Sequence, residues 1–244
     1  MGEVIDKTNP IRDAVHRVYS EAALRPEDEH PFPLGRRFAE SIGYPSDLLA
    51  GLPSVSVDAF SGVSNVAVFA DIPVGATVLD LGCGAGLDSL IAVKRVGSAG
   101  KVIGVDFSDA MLARARQAAV ESGLDNVEFH QANAENLPIA EGSIDIALVN
   151  GIINLNTERE AIFRELGRVL RHDGVVYAAE LILKAPLPVE IRDRVFEPFM
   201  TTKSLGTGLG LPVARKLTEA LGGELTVEDR PGGGTRAVVR FPNR

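Results

Sequence analysis

The sequence predicts an α/β fold with a doubly wound, mostly parallel sheet. In residues 73–184 short apolar runs alternate with stretches of helical periodicity, and this alternation is typical of right-handed βαβ crossovers. One run, Ile144–Asn150 (IDIALVN), carries few polar residues, as expected for a central strand that is covered on both faces. The chain has 244 residues, 45% of them hydrophobic, so a substantial buried core is expected.

The first part of the chain, residues 1–72, is predicted to form a helical cap. A helix is expected over about 9–24, since apolar residues recur there at helical spacing. Those residues are Ile11, Val15, Val18 and Tyr19. Three prolines then break the chain, and brief helices are predicted at Phe38–Ile42 and Pro45–Leu52.

The second part, residues 73–184, is predicted to build the sheet. In chain order its elements are strand Thr77–Leu81, helix Gly86–Val96, strand Lys101–Asp106, helix Ala110–Ser122, strand Val127–Gln131, strand Ile144–Asn150, helix Thr157–Leu170 and strand Val175–Leu183. Ser108 is the expected N-cap of the second helix, because its hydroxyl satisfies a free backbone N–H. Ligands of such sheets bind at the carboxyl ends of the strands.

Two segments carry the strongest functional signal. Val78–Gly86 reads VLDLGCGAG, and Val102–Ser108 reads VIGVDFS. Glycines in the first turn let a ligand approach the backbone closely, and an acid at the tip of the second strand is placed to accept hydrogen bonds from ribose hydroxyls. The glycines follow a G-x-G-x-G pattern rather than the G-x-G-x-x-G of dinucleotide-binding folds.

This pattern resembles motif I of the class I S-adenosylmethionine (SAM) methyltransferases, which have a Rossmann-like fold. The resemblance implies that SAM is the cofactor, with Asp80 near the amino end of its methionine moiety and Asp106 on its ribose. The glycines that would line the cofactor are Gly82, Gly84 and Gly86.

Four further segments resemble the arsenite methyltransferase family over roughly residues 10–184. They are GYPSDLLAGLP (Gly43–Pro53), AFSGVSN (Ala59–Asn65), PVGATVLDLGCGAGLDSL (Pro73–Leu90) and NGIINL (Asn150–Leu155). The resemblance implies that Phe60, Ser61 and Gly62 touch the sulfonium end of SAM. It also implies a set of residues around the adenine: Asn133, Ala134 and Glu135 at its border, with Phe107 and Met111 on its faces. Ordinary helix–sheet packing is the alternative for Phe107 and Met111, and Asn150 completes the expected cofactor contacts.

The chain departs from this family where arsenite would bind. Family members hold As(III) through cysteine thiolates, but the matching positions here are Val63 and Gly151. The third position lies where the C-terminal region differs. The one cysteine, Cys83, lies inside the SAM turn, and soft As(III) requires sulfur ligands. We therefore expect a SAM site without an arsenic site.

The third part, residues 185–244, resembles the C-terminal half of a histidine-kinase ATPase domain through VFEPFMTTK (Val195–Lys203) and GTGLGL (Gly206–Leu211). The boxes that hold adenine and magnesium in that family are absent, so ATP binding is not expected. A helix at Leu209–Leu221 and strands at Glu224–Glu228 and Arg236–Phe241 follow. This is the order that a class I methyltransferase needs to complete a seven-stranded sheet, which is the predicted role of this tail. A separate appended module is the alternative.

The sequence as a whole predicts a SAM-dependent methyltransferase for a small-molecule acceptor. The alternatives are a SAM-binding protein without catalysis, or a signalling interaction module that uses the kinase-like tail. Asn150, Asn154 and His30 are the weak candidates for contacts to the acceptor, and no metal site is expected. A net charge of −8 disfavours a nucleic-acid partner. The absence of long apolar stretches and the polar N-terminus predict a cytoplasmic protein without membrane contact. A homodimer is left open.

Overall fold

The structure is a computed structural model. It describes residues 10–156, 158–181, 194, 197, 215, 219, 224–229 and 235–240. The chain divides into two compact units, one comprising Ile11–Glu180 and the other comprising Met1–Pro10 with Leu181–Arg244. The first unit contains both the predicted cap and the predicted sheet.

The unit Ile11–Glu180 is built on a five-stranded sheet in which all neighbouring strands are parallel. Its strands are β1 (Thr77–Leu81), β2 (Lys101–Asp106), β3 (Val127–Gln131), β4 (Ile144–Asn150) and β5 (Leu170–Ala179). They lie in the order β3-β2-β1-β4-β5. The order reverses direction between β1 and β4, and a crevice for a ligand forms at the carboxyl ends of strands where this happens.

Eight helices surround this sheet among the described residues. Five precede the first strand: α1 (Pro10–Leu24), α2 (Gly35–Ser41), α3 (Ser46–Ala50), α4 (Ser54–Val57) and α5 (Val66–Phe69). Three follow strands: α6 (Leu87–Val96), α7 (Asp109–Glu121) and α8 (Arg159–Val169). The Ser108 hydroxyl accepts a hydrogen bond from the backbone N–H of Met111, which confirms the predicted N-cap of α7.

Alternate residues of β1 enter different hydrophobic clusters. Val78 packs with residues of α5 and α6, whereas Leu79 and Leu81 pack with residues of α8. All three side chains are at most 1% exposed. Because successive residues of a strand point to opposite faces, this separation shows that the sheet is covered on both sides.

The structure corrects three predictions. The described strands form a five-stranded sheet and a separate two-stranded sheet, so a single sheet of seven strands is not confirmed. Strand β5 begins at Leu170 rather than at the predicted Val175, and it ends at Ala179 rather than at Leu183. The four-residue helices α4 and α5 were not predicted, since one helical turn leaves too short a periodicity to detect.

The other unit contains an antiparallel hairpin of β6 (Glu224–Asp229) and β7 (Thr235–Arg240). Both strands lie within one residue of their predicted bounds at each end. Of the predicted helix Leu209–Leu221 only Arg215 and Glu219 are described; both are helical, and the Arg215 Nε donates to Glu219 Oε1 at 2.9 Å. The rest of that helix lies outside the described residues. Within the described parts of the chain, no helix is both long and apolar enough to cross a bilayer.

Candidate functional site

The turn between β1 and α6, residues 82–86, forms a bare backbone surface at the carboxyl edge of the sheet. We call it the cofactor turn. Its glycines Gly82, Gly84 and Gly86 have φ values of 74°, 52° and 84°, a left-handed conformation that side chains disfavour. A Cβ added to Gly84 would meet no atom within 4 Å. The space is therefore open at Gly84, as a closely approaching ligand requires, whereas a Cβ at Gly82 or Gly86 would meet Ile152 or Ala115.

Asp106, at the tip of β2, faces this turn. Its Oδ2 accepts from the N–H of Gly84 and its Oδ1 accepts from the N–H of Ser108, both at 2.8 Å. A carboxylate has about four acceptor positions. Burial raises the pKa of Asp106, while the N–H groups of Ser108, Gly84 and Phe107 and the charge of His16 oppose that rise. At least one acceptor position therefore remains, and the contact of Asp106 to a ribose stays a prediction.

Asp80 is a buried acid at the base of the cofactor turn. Its Oδ2 accepts a hydrogen bond from the Ser89 hydroxyl at 2.5 Å. Burial, together with the charge of Asp88, raises the pKa of Asp80 to about 8. Asp80 is 2% exposed, and its contact to the methionine moiety of SAM stays a prediction.

Helix α1 contacts the residues around Asp106, which the sequence did not predict. The His16 ring lies 5.3 Å from the Phe107 ring, and the hydroxyls of Ser20 and Ser108 are 3.0 Å apart. Burial raises the pKa of Tyr19 to about 12, with further contributions from the charges of Asp106 and Glu180. The only sequence signal was the position of Tyr19 in the apolar stripe of α1.

The residues predicted to border the adenine follow the carboxyl ends of β2 and β3 or lie in α7. Met111 is 1% exposed and packs in a cluster with Ala22 and Ala23 of α1. Phe107 is half-buried. Glu135 accepts a hydrogen bond from the Asn156 side chain at 2.8 Å, and its neighbours Asn133 and Ala134 are partly or fully exposed. Their contacts to adenine stay a prediction.

Residues 60–65, which we call the cap loop, pass over the tip of β4. The Phe60 ring is 8% exposed and packs edge-on against Tyr44, with ring centroids 5.0 Å apart. Its ring therefore belongs to the core. Ser61 and Gly62 are partly exposed.

Asn150, the last residue of β4, was predicted to bind cofactor or acceptor directly. In the structure its Oδ1 accepts from the N–H groups of Val63 and Ser64. Its Nδ2 donates to Ser64 O and Asp88 Oδ2. These bonds use the two donors and two acceptor positions of an amide. Its side chain thus holds the cap loop instead of pointing to a ligand.

The two positions that carry cysteines in the arsenite family lie against each other. A Cβ added to Gly151 would lie 2.8 Å from Cγ1 of Val63. Gly151 has a φ of 81°, so its backbone disfavours any side chain. The pair forms an apolar spot beside the tip of β4.

Glu180 follows β5 and lies beside the loop after β4. Its carboxylate accepts from the N–H of Ile153 at 2.6 Å and of Asn154 at 3.4 Å, and burial raises its pKa. Asn154 lies in a turn four residues before the N-cap of α8, Glu158, so it does not start that helix. The ring of His30, the third candidate, makes a 2.7 Å hydrogen bond to Arg25 O, a local contact outside this cluster.

Comparison with known proteins gives two family matches. A family model described as a methyltransferase domain matches residues 72–206. A second, described as a histidine kinase-, DNA gyrase B- and HSP90-like ATPase, matches residues 184–244 weakly.

Individual relatives share part of their length with this chain. The arsenite methyltransferase of Halobacterium salinarum is 36% identical over 154 residues, which cover 63% of this chain and 39% of the relative. The demethylmenaquinone methyltransferase of Lactococcus lactis subsp. lactis is 34% identical over 157 residues, covering 64% of this chain and 60% of the relative. The solved arsenic(III) S-adenosylmethionine methyltransferase of Chlamydomonas reinhardtii is similar with a TM-score of 0.50 and 25% identity, over 80% of this chain and 64% of that one. This chain thus spans less than two thirds of each.

Proposed function

The chain belongs to the methyltransferase-domain family, and we propose that it transfers a methyl group from SAM to a small-molecule acceptor other than arsenite. SAM is the cofactor that this family and the solved relative imply. The single observation that carries the proposal is the open backbone at Gly84 beside Asp106, whose buried carboxylate keeps an acceptor position beyond its N–H donors.

The described residues fit SAM chemically. The open backbone at Gly84 leaves room for the cofactor, and Asp106 supplies an acceptor for a ribose hydroxyl. Bound SAM supplies an electrophilic methyl group on a sulfonium, so the chain needs no activated electrophile of its own. The task left to the protein is to hold the acceptor in line with the methyl–sulfur bond, and such positioning contributes about 7–11 kcal/mol to lowering a barrier.

The chemistry beside β4 supports an acceptor that does not require thiolates. Val63 and Gly151 supply a methyl surface and a bare backbone, with no soft ligand for a metalloid. Burial raises the pKa of the Cys83 thiol well above its usual value, so that sulfur stays protonated and is a poor ligand. These features support a carbon, nitrogen or oxygen acceptor on a small, partly apolar molecule.

A proton must leave the acceptor only if the attacking atom is protonated. Glu180 is the partly buried carboxylate at the β4–β5 side of the sheet, and it is already held by the N–H groups of Ile153 and Asn154. These bonds favour its charged form, whereas its burial opposes it. Glu180 is therefore the residue to test for a pH-dependent step.

The test is methyl transfer from labelled SAM to a panel of phenols, amines, thiols and metalloid oxyanions. We expect transfer to at least one phenol or amine in proportion to protein concentration, and none to arsenite above a no-enzyme control. An Asp106→Ala variant serves as the control that removes the ribose contact. Methylated arsenicals formed at a rate that depends on protein concentration would refute the assignment of the acceptor.

The weak match of residues 184–244 to an ATPase family favours one second candidate, an interaction module that docks a signalling partner through the tail. Binding of SAM without transfer to any member of the panel would support a non-catalytic protein of this kind. The division into a cap (1–72), a SAM-binding core (73–184) and a kinase-like tail (185–244) is part of this proposal.

A further inference from the structure

Three side chains from distant parts of the sequence form a buried hydrogen-bonded cluster under the cap loop. They are Tyr44, Asp88 and Asn150, and we call them the clamp. The Tyr44 hydroxyl donates to Asp88 Oδ1 at 2.6 Å, and the Asn150 Nδ2 donates to Asp88 Oδ2 at 2.9 Å. Tyr44 and Asp88 are 2% and 5% exposed. Burial raises the pKa of Asp88, but these two donors and the N–H of Ala67 oppose that rise.

The clamp fixes the backbone of the cap loop through Asn150. Its Oδ1 accepts from the N–H of Val63 at 2.8 Å and of Ser64 at 3.1 Å, while its Nδ2 donates to Ser64 O at 2.7 Å. A reversed amide would turn its NH₂ toward two N–H donors, so only one orientation fits. A Cβ at Gly62 would lie 2.6 Å from Nδ2, which shows how closely the loop lies on this side chain.

The position of the clamp connects two parts of the candidate site. Asp88 is the second residue of α6 and follows the cofactor turn almost directly. Asn150 ends β4, and the next residue, Gly151, contacts Val63 of the loop that Asn150 holds. The same buried carboxylate therefore anchors both the helix after the cofactor turn and the cap loop beside the acceptor position.

We propose that Asp88 and Asn150 are positioning residues for methyl transfer, which hold the backbone of Gly62–Ser64 against the sulfonium end of SAM. This inference rests on the proposed function. The cap loop acts through its backbone, so the side chains of Ser61 and Ser64 can vary, whereas Gly62 and the donor and acceptor pattern of the clamp cannot.

An exchange of the two side chains tests this pattern. In Asp88→Asn the new amide can turn its oxygen to the Asn150 NH₂ and its own NH₂ to the Tyr44 hydroxyl, which then donates to Ser64 O at 3.1 Å. This variant should therefore lose little. In Asn150→Asp a carboxylate meets both Asp88 and Ser64 O. When both substitutions are combined, the new amide at position 88 donates to the new carboxylate at position 150. Ser64 O still faces a carboxylate oxygen in place of the Asn150 NH₂, so the double variant should recover part of what Asn150→Asp loses.

The measurement is calorimetric binding of SAM and of S-adenosylhomocysteine, which lacks the methyl and the sulfonium charge, to the full chain. For Asn150→Asp we expect the Kd of SAM to rise about tenfold, the equivalent of one hydrogen bond of about 1.4 kcal/mol, and for Asp88→Asn we expect a smaller rise. The Kd of S-adenosylhomocysteine should rise less, by about threefold, and the exchange should restore part of both. Tyr44→Phe removes one donor to Asp88 while keeping the shape of the aromatic ring. It is to be measured in place of any single variant that does not fold.

Asp145→Asn is the matched control, because Asp145 lies in the same strand as Asn150 but at its other end, where it accepts from the N–H of Thr77. It should lower thermal stability without changing either Kd. Equal weakening of SAM and S-adenosylhomocysteine by the clamp variants, or an exchange that restores the melting temperature but not the Kd of SAM, would overturn the positioning role. A wild-type chain that binds neither ligand would overturn the proposed function itself.

Discussion

Asp106→Ala is the substitution that tests the cofactor site most directly. The carboxylate retains an acceptor position beyond its bonds from the N–H groups of Gly84, Ser108 and Phe107. A ribose hydroxyl can fill that position, and hydrogen bonds to a charged group are the stronger kind. We expect a loss of about 1–3 kcal/mol in binding, which corresponds to a roughly 5- to 150-fold rise in Kd.

The same substitution also leaves these backbone N–H groups without their acceptor, so part of the loss is a loosened cofactor turn. Asp106→Asn separates the two effects, because its single carbonyl oxygen keeps part of these N–H bonds while the negative charge is removed. Removal of the charge also removes the cost of burying it, which is the main cause of the raised pKa of Asp106. We therefore expect Asp106→Asn to be more stable than Asp106→Ala but similarly weakened in binding.

The assay is calorimetry with S-adenosylhomocysteine, with a thermal melt of each variant to confirm folding. Asp109→Ala is the matched control: it makes the same change three residues later, on a side chain that is 73% exposed and faces Arg116 across 3.5 Å. It should leave the Kd within twofold of wild type, a difference of less than about 0.5 kcal/mol. Equal Kd values for wild type and Asp106→Ala would show that Asp106 does not bind the ribose.

Four further predictions follow from the structure and the sequence. Gly151→Ala should lower the melting temperature by several degrees more than Gly142→Ala. Both positions have positive φ, but only at position 151 would a Cβ lie 2.8 Å from Val63, and each kcal/mol of lost stability shifts the midpoint by about 2–4 °C. Equal shifts would rule out that contact. Because burial raises the pKa of Asp80 from 3.8 to about 8, the folded chain binds more protons than the unfolded chain between these values, and the free energy of unfolding should fall as pH rises from about 4 to 8. Asp80→Asn should flatten that slope in denaturant titrations, whereas substitution of the exposed Asp125 should not. Phosphate release from ATP should not exceed the no-protein control, since Gly206–Leu211 lacks the boxes that hold adenine and magnesium; saturable, Mg²⁺-dependent release would contradict this. Deletion of residues 186–244 should yield insoluble protein if the tail completes the sheet as the sequence predicts, and a soluble, cooperatively melting 1–185 fragment that binds SAM would make the tail a separate module.

The sequence predicted four of the five parallel strands well because their signals are local. Strands β1 to β4 have the predicted bounds. Of these, β1, β2 and β4 are short runs rich in apolar residues, whereas the edge strand β3 (VEFHQ) alternates apolar and polar residues. The cap of α7 at Ser108 depends on residues three positions apart and was equally visible. Strand β5 was misplaced for a local reason as well. Asp173 and Gly174 indicated a turn, but the strand continues through them with a shift in register between Ile144 and Ile146.

The site was predictable only where it is made of contiguous residues. The cofactor turn and Asp106 are predicted from two short segments. The clamp instead joins Asp88 to Tyr44, 44 positions before it, and to Asn150, 62 positions after it. No periodicity connects such positions, so Asp88 looked like an ordinary polar residue in a helix. The sequence placed Asn150 at the tip of β4, as the structure has it. It could not show that the amide faces the cap loop, because that depends on how far the loop folds back over the strand.

The contact between Val63 and Gly151 adds to what the sequence resemblance alone can support. In sequence they are two separate departures from the arsenite family, 88 positions apart and independent of one another. In the structure they share one spot, where a Cβ at one would nearly touch the other. A thiolate at position 63 alone would face a bare backbone, and a side chain at position 151 would have to adopt a left-handed conformation at a cost of about 1–2 kcal/mol. Either change alone would therefore place at most one thiolate at this spot. The contact supports the proposal of an acceptor other than arsenite, because both matched positions form one apolar surface.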